Sequence, residues 1–226
     1  MKGEKIKLIL VGDSTVGKTS IINQYIKNTF SSEFTVTMAQ DKSLKSIKLN
    51  NGKELMLEIW DTVGQEKLRS TNKIFMKNSK IALLVYDITN QKSFDDLNEF
   101  YEELNQIVGR DNIVLGVVGN KSDLYEDQVI SKETGEEYAN NIGALFFETT
   151  AQEHENIENL FNEIVNHYDE KANPNIEDPL RESFRLNQNN NVNNIIQDDK
   201  KNDDDNINSN PKNEEKVNQK KKNQCC

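Results

Sequence analysis

Apolar positions come in short runs through the first three quarters of the chain and thin out after it. Residues 5–11, Lys-Ile-Lys-Leu-Ile-Leu-Val, begin by alternating and end fully apolar, which predicts a strand entering a buried sheet. The run stops at Gly12, and a glycine-bounded loop leads into a helix over about 19–28. Strands over 43–49 and 54–60 flank Asn50-Asn51-Gly52, residues that tolerate a positive φ, so these two are expected to pair antiparallel through a hairpin. Strands over 81–87, 114–119 and 144–148 then alternate with helices. The first helix begins near Ser93 with Phe94, Leu97, Tyr101, Leu104 and Val108 on one face; the next spans about 132–141; the last, 156–168, carries Ile157, Leu160, Phe161 and Ile164. The alternation predicts an α/β fold: a mostly parallel six-stranded sheet with one antiparallel strand and helices on both faces. In such folds ligands sit beyond the carboxyl ends of the strands.

Composition divides the chain in two. Residues 169–226 hold 15 Asn and all three prolines, few aromatics and a near balance of charge, 12 acidic against 10 basic side chains. Such a segment buries too little apolar surface to offset its ordering entropy, so it is expected to be a disordered Asn-rich tail following a folded domain over 1–168. As a flexible coil its 58 residues reach roughly 40 Å, from about 5–6 Å times the square root of their number. The net charge of −10 argues against a protein that neutralises nucleic-acid phosphates. No signal-peptide pattern follows Met1, and no apolar run nears the roughly 20 residues a membrane-spanning helix requires. Both cysteines, Cys225 and Cys226, lie at the very end, where they can staple no core; a cytosolic setting fits.

Two motifs carry chemistry. Gly12-Asp13-Ser14-Thr15-Val16-Gly17-Lys18-Thr19 has the spacing of a phosphate-binding loop, in the context such a loop needs, after a strand and opening a helix. Its glycines let successive N–H groups point at phosphate oxygens, and the helix N-terminus adds about half a positive charge. Lys18 would reach the β and γ phosphates and the Thr19 hydroxyl would ligate Mg²⁺. The base is chosen elsewhere. Asn120-Lys121-Ser122-Asp123 follows the 114–119 strand, and the Asp123 carboxylate can accept from both N1–H and the 2-amino group of guanine. Adenine offers neither donor and would leave that carboxylate unpaired, which costs about 1–3 kcal/mol or more, so GTP is favoured over ATP.

These motifs, with Asp61-Thr62-Val63-Gly64-Gln65-Glu66 and Glu148-Thr149-Thr150-Ala151 in the same order, make the chain resemble the Ras superfamily of small GTPases, and within it the Rab family, over about residues 5–168. The resemblance implies that Thr37 binds Mg²⁺ and the γ-phosphate, that Asp61 holds Mg²⁺ through water, and that Gly64 gives its N–H to the γ-phosphate. It assigns to Gln65 the orientation of attacking water, making Gln65, Lys18 and Thr37 the catalytic set, and gives Mg²⁺ the ligands Thr19, Thr37 and Asp61. Phe30 would lie against guanine, Asn120 and Lys121 would brace the base site, and the Ala151 N–H would meet the guanine O6. The nucleotide-contacting set so implied runs through Asp13, Ser14, Thr15, Val16, Gly17, Lys18, Thr19, Ser20, Phe30, Thr37, Gly64, Asn120, Lys121, Asp123, Leu124, Thr150, Ala151 and Gln152. Hydrolysis needs in-line positioning and positive charge on the phosphates. No arginine lies in the loop or between Phe30 and Trp60, so slow intrinsic turnover is expected, with a partner's arginine worth about 10³–10⁵ in rate.

The resemblance further implies a membrane-anchored switch in vesicle-mediated transport, on the cytosolic face of an endomembrane or vesicle. Its partners would be an exchange factor, a GTPase-activating protein, an escort protein, a GDP-dissociation inhibitor and effectors, with no nucleic-acid polymer. Ending in Cys225-Cys226, the chain departs from the C-a-a-X rule but matches the double-cysteine ends that Rab proteins carry, where both are geranylgeranylated. Two lipid chains give stable anchoring where one gives only reversible attachment. Lys220, Lys221 and Lys222 would add roughly 1 kcal/mol each near an anionic leaflet.

Departures from the family pattern concentrate around the phosphates and the effector surface. After Thr37 the chain reads Met38-Ala39-Gln40-Asp41-Lys42, with Lys42 where an aromatic is usual; Val63 replaces an alanine, Phe75-Met76 a tyrosine pair, and Gln152 a lysine that flanks the base. A hydrolysis-deficient scaffold that holds GTP or GDP is therefore the alternative reading, and an ATP-dependent kinase a weaker third. His154 and His167 stand apart in polar surroundings and read as solvated or capping residues.

Overall fold

The structure, a computed structural model, describes residues 4–31, 41–62 and 69–174. Its centre is a six-stranded sheet in the order β2-β3-β1-β4-β5-β6, formed by β1 Lys5–Val11, β2 Asp41–Lys48, β3 Glu54–Asp61, β4 Ile81–Asp87, β5 Val114–Asn120 and β6 Leu145–Thr149. Only β2 and β3 run antiparallel, from Asp41 opposite Asp61 to Lys48 opposite Glu54; every other pair is parallel. The expected fold class is therefore the observed one. Because β1, β3, β4, β5 and β6 are parallel, their carboxyl ends at Val11, Asp61, Asp87, Asn120 and Thr149 share one rim.

Strand periodicity divides the core into two layers. Ile6, Leu8 and Leu10 face α1 (Lys18–Lys27) and α6 (His154–Ala172), where Ile21, Tyr25, Leu160, Phe161 and Ile164 close over them. Tyr25 stacks on Phe161 with ring centroids 3.8 Å apart, joining the helix that follows the phosphate loop to the last helix. Ile9 and Val11 face the other way, toward α4 (Leu97–Ile107) and α5 (Lys132–Ile142) through Leu97, Phe100, Tyr101, Leu104, Ala139 and Ile142. Every residue of β4 and β5 is buried, as a central parallel strand covered on both faces requires. Tyr86 fills a slot between two of these elements: a Cβ at Gly119 would fall 2.7 Å from its hydroxyl oxygen, and one at Gly135 would fall 2.5 Å from it.

Three details differ from the sequence reading. The helix expected from Ser93 is two, α3 (Gln91–Asp95) and α4, meeting at Asp96, and the first begins earlier because the Asn90 side chain caps it by accepting from Ser93 N–H. A helix that no periodicity announced, α2 (Arg69–Met76), follows β3. Helix α6 runs to Ala172, past the expected end at Tyr168, and holds Asp169 buried against the β2–β3 hairpin, where it accepts from Lys53 Nζ at 3.0 Å and Asn51 Nδ2 at 2.9 Å.

Candidate functional site

At the rim, the chain leaves β1 at Gly12 and turns through Gly17 into α1. Both glycines are required by geometry. Gly12 has φ +149°, and a Cβ there would collide with the Val85 carbonyl oxygen; Gly17 has φ +99°, and a Cβ there would collide with Asn120 Nδ2. Thr15 also sits in the left-handed region, φ 67°, so the loop is wound tightly enough for its amides to converge. Lys18 is buried, and its ammonium donates to the carbonyls of Gly12 at 2.9 Å and Asp13 at 2.6 Å. Burial pulls its pKa down to about 8, against an opposing pull from the carboxylates of Asp61 and Asp13. Asp13 caps the neighbouring Ser14 N–H at 2.8 Å and lies 3.5 Å from Lys92 Nζ, which also reaches Asp96 at 2.6 Å.

Beside this loop the Thr19 hydroxyl donates to Asp61 Oδ2 at 2.6 Å, and Asp61 is itself buried at the end of β3. A hydroxyl and a carboxylate held together at a phosphate loop are the hard oxygen donors that Mg²⁺ prefers, so these residues fit the ion that the sequence implies. Among the described residues no group of three or more His, Cys, Asp or Glu is arranged to hold a metal.

The Asn120 side chain lies between the two halves of the site. Buried at the end of β5, its amide donates to the Val16 carbonyl at 2.8 Å, and its own oxygen accepts from Thr149 Oγ1 at 3.4 Å. One residue later the backbone enters the left-handed region at Lys121, φ 68°, and the Lys121 ammonium donates to Asp87 Oδ2 at 2.5 Å. Asp87, buried at the end of β4, is fixed in turn by the N–H and hydroxyl of Thr89 at 2.9 and 2.8 Å. The short 3₁₀ stretch Ser122–Asp127 then presents Asp123 at the surface. Asp123 Oδ1 accepts from Thr150 Oγ1 and Oδ2 from Gln152 Nε2, each at 2.6 Å. Ala151 is buried between those two donors, while Leu124 and Phe30 are largely exposed.

Thus the rim brings together Asp13 to Ser20, Asp61, Asn120, Lys121, Asp123 and Thr150 to Gln152, the pieces that the sequence scattered over 140 positions. Thr37, Gly64 and Gln65 lie outside the described residues, as do Ala39, Val63, Cys225 and Cys226. Two further participants, Asp87 and Lys92, carried no motif. Asp87 was within reach of the sequence reading, since it is a carboxylate at the carboxyl end of a central strand; Lys92 lies at the start of a helix whose apolar face gave no hint of it. His154 Nδ1 stands 3.1 Å from the Gln24 carbonyl at the first residue of α6, and His167 is exposed.

The described part of the chain is similar to known proteins over nearly its whole extent. A family model described as the Ras family matches residues 7–170. The Ras-related protein Rab-8A of Bos taurus is 38% identical over 155 residues, 69% of this chain and 74% of that protein, and Rab-8A of Rattus norvegicus matches equally. The Ras-related protein RabC of Dictyostelium discoideum is 36% identical over 160 residues, 70% of this chain and 81% of that protein.

Proposed function

The chain belongs to the Ras family of small GTPases and, within it, to the Rab family, and from that premise we propose that it cycles between GTP and GDP as a membrane-anchored switch in vesicle-mediated transport. The observation that carries this reading is the Asn120 side chain, whose 2.8 Å bond to the Val16 carbonyl ties the turn bearing Asp123 to the phosphate loop. A single ligand with phosphates at one end and a purine at the other spans that arrangement.

The division of labour follows from chemistry. Loop amides and the Lys18 ammonium would hold the β and γ phosphates, and the present bonds of Lys18 to two carbonyls keep that ammonium aimed along the loop. Thr19, Thr37 and Asp61 would hold Mg²⁺, which when bound neutralises charge that develops on the phosphates. Gln65 would orient the attacking water, and Gly64 and Thr37 would sense the γ-phosphate. Loss of that phosphate would release both segments, so partner affinity would follow nucleotide state. Asp123 would read guanine, with Lys121 steadied by Asp87. Phe30 would cover the base, and the Ala151 N–H would meet the guanine O6.

Beyond the site, the reading includes a folded domain over about 1–168 and a linker tail, with geranylgeranyl groups on Cys225 and Cys226. It includes an exchange factor, an activating protein, an escort protein, a dissociation inhibitor and effectors as partners. The proposed location is the cytosolic face of an endomembrane.

Single-turnover hydrolysis tests the switch. Slow phosphate release that falls at least about tenfold on Gln65→Leu is expected, since Gln65 would position the nucleophile. No release from either protein would favour a scaffold that only holds nucleotide. Joint Cys225→Ser and Cys226→Ser substitution should keep nucleotide binding and move the protein from membranes to the soluble fraction; continued membrane recovery would sink the lipid part.

A further inference from the structure

The base-reading carboxylate has both oxygens in use by this chain's own side chains. Thr150 serves Oδ1 from within the fold, whereas Gln152 serves Oδ2 from the surface. The Gln152 backbone is pinned at both ends, its N–H donating to Thr150 Oγ1 at 3.2 Å and its carbonyl accepting from Gln24 Nε2 at 3.5 Å. Its exposed side chain is anchored at the root and can swing at the tip.

We propose that Gln152 is a specificity-determining residue that widens the purines this site accepts, from guanine to hypoxanthine. The inference rests on Asp123 as the base reader. Guanine presents two donors to that carboxylate, N1–H and the 2-amino group; hypoxanthine presents only N1–H. A site built for two donors rejects a one-donor analogue chiefly because an acceptor is left unpaired. Here the Gln152 amide N–H₂, already 2.6 Å from Oδ2, supplies the missing donor, and hypoxanthine plus Gln152 satisfies the carboxylate as guanine alone does. Guanine, by contrast, brings its 2-amino group to an oxygen that the amide already serves, sharing its two lone pairs or displacing the amide, so that group adds less than it would at an unserved oxygen. Adenine is refused with or without Gln152, since it turns an unprotonated N1 toward the carboxylate and lone pair meets lone pair. The side chain therefore relaxes discrimination at one position of the ring without relaxing it at the other.

The test is competition of GDP, IDP and ADP against a fluorescent GDP analogue on the full-length chain, for the unsubstituted protein, Gln152→Ala and Gln152→Met. Methionine keeps the length of the stem and removes the donor. The expected result is a ratio of IDP to GDP dissociation constants within about tenfold for the unsubstituted protein, widening by at least about fivefold in both variants, with ADP the weakest competitor throughout. An unchanged or narrower IDP ratio in the variants, with guanine still preferred to adenine, would overturn the role of Gln152 and leave the base-reading role of Asp123 standing. Equal affinity for GDP and ADP in the unsubstituted protein would overturn both.

Discussion

The two halves of the rim are built on opposite principles. The phosphate half is backbone wound so tightly that Gly12 and Gly17 have no room for a methyl group, with Lys18 buried beneath it. The base half is a set of side chains at the surface, in which Asp123, Leu124 and Gln152 are exposed while Asp87, Asn120, Thr150 and Ala151 are buried. Phosphate recognition of this kind can scarcely be adjusted one residue at a time, because a Cβ at Gly12 meets main chain and one at Gly17 meets the buried Asn120 amide. Base recognition can be retuned by an exposed residue such as Gln152 without disturbing the fold.

The harshest challenge to that contrast is Gly12→Ala. Positive φ combined with a collision against a backbone oxygen should destabilise the protein by about 3–5 kcal/mol in urea unfolding, and a loss below 1 kcal/mol would show that the loop yields more easily than its packing implies. Next comes the base half, where Asp87→Asn removes the carboxylate under the Lys121 ammonium. Unfolding free energy should fall by about 1–3 kcal/mol and GDP should dissociate several-fold faster, whereas an unchanged dissociation rate would mean that Lys121 needs no such support.

A pH series sharpens the phosphate side. The buried Lys18 has its pKa lowered to about 8, whereas in the unfolded chain it titrates near 10.5. Between those values the unfolded state carries more protons, so this group makes the nucleotide-stripped protein more stable as pH rises from about 8 toward 10. Comparing urea midpoints at about pH 7.5 and 9.5 with those of Lys18→Met should show a rise that the variant lacks. Phosphates favour the charged lysine, so GDP binding near pH 9 should take up a proton, measurable by calorimetry in buffers of different ionisation enthalpy. Smallest of all is Lys92→Ala. That lysine is mostly exposed and shares its charge between Asp13 and Asp96, so thermal unfolding should register less than about 1 kcal/mol.

What the sequence made legible follows the same divide. Strand β1 and the loop after it could be read because apolar alternation and glycine spacing are local patterns with one physical solution each. The two sheet faces could be anticipated because Leu8 and Ile9 are neighbours in sequence and must point apart. Helix α2 left no such trace: its apolar residues, Ile74, Phe75 and Met76, are consecutive and not spaced three or four apart, so there is no period to be seen. The last turns of α6 were missed because they are held by a charge, Asp169, whose partners Asn51 and Lys53 lie far back in the chain. Site pairings such as Asp87 with Lys121 and Gln152 with Asp123 were illegible for the same reason, since a hydrogen bond across 30 residues has no period. Lys42 belongs with them. It lies 5.6 Å over the Trp60 ring and 3.8 Å from Glu58, so the position that departs from the family pattern is seated against the aromatic that was kept.

The Tyr86 hydroxyl, wedged where Gly119 and Gly135 lack side chains, imposes an order on how these three positions can drift. Neither glycine can acquire a methyl group unless the tyrosine shifts, and at Gly135 the Phe146 ring, 2.5 Å from the same point, must shift as well; trimming the tyrosine first opens a void that only a later gain elsewhere can fill. A descendant sequence must pass through that loosened intermediate, so Tyr86, Gly119 and Gly135 should be inherited as a block, with the residues flanking Asn120 carried along as hitchhikers.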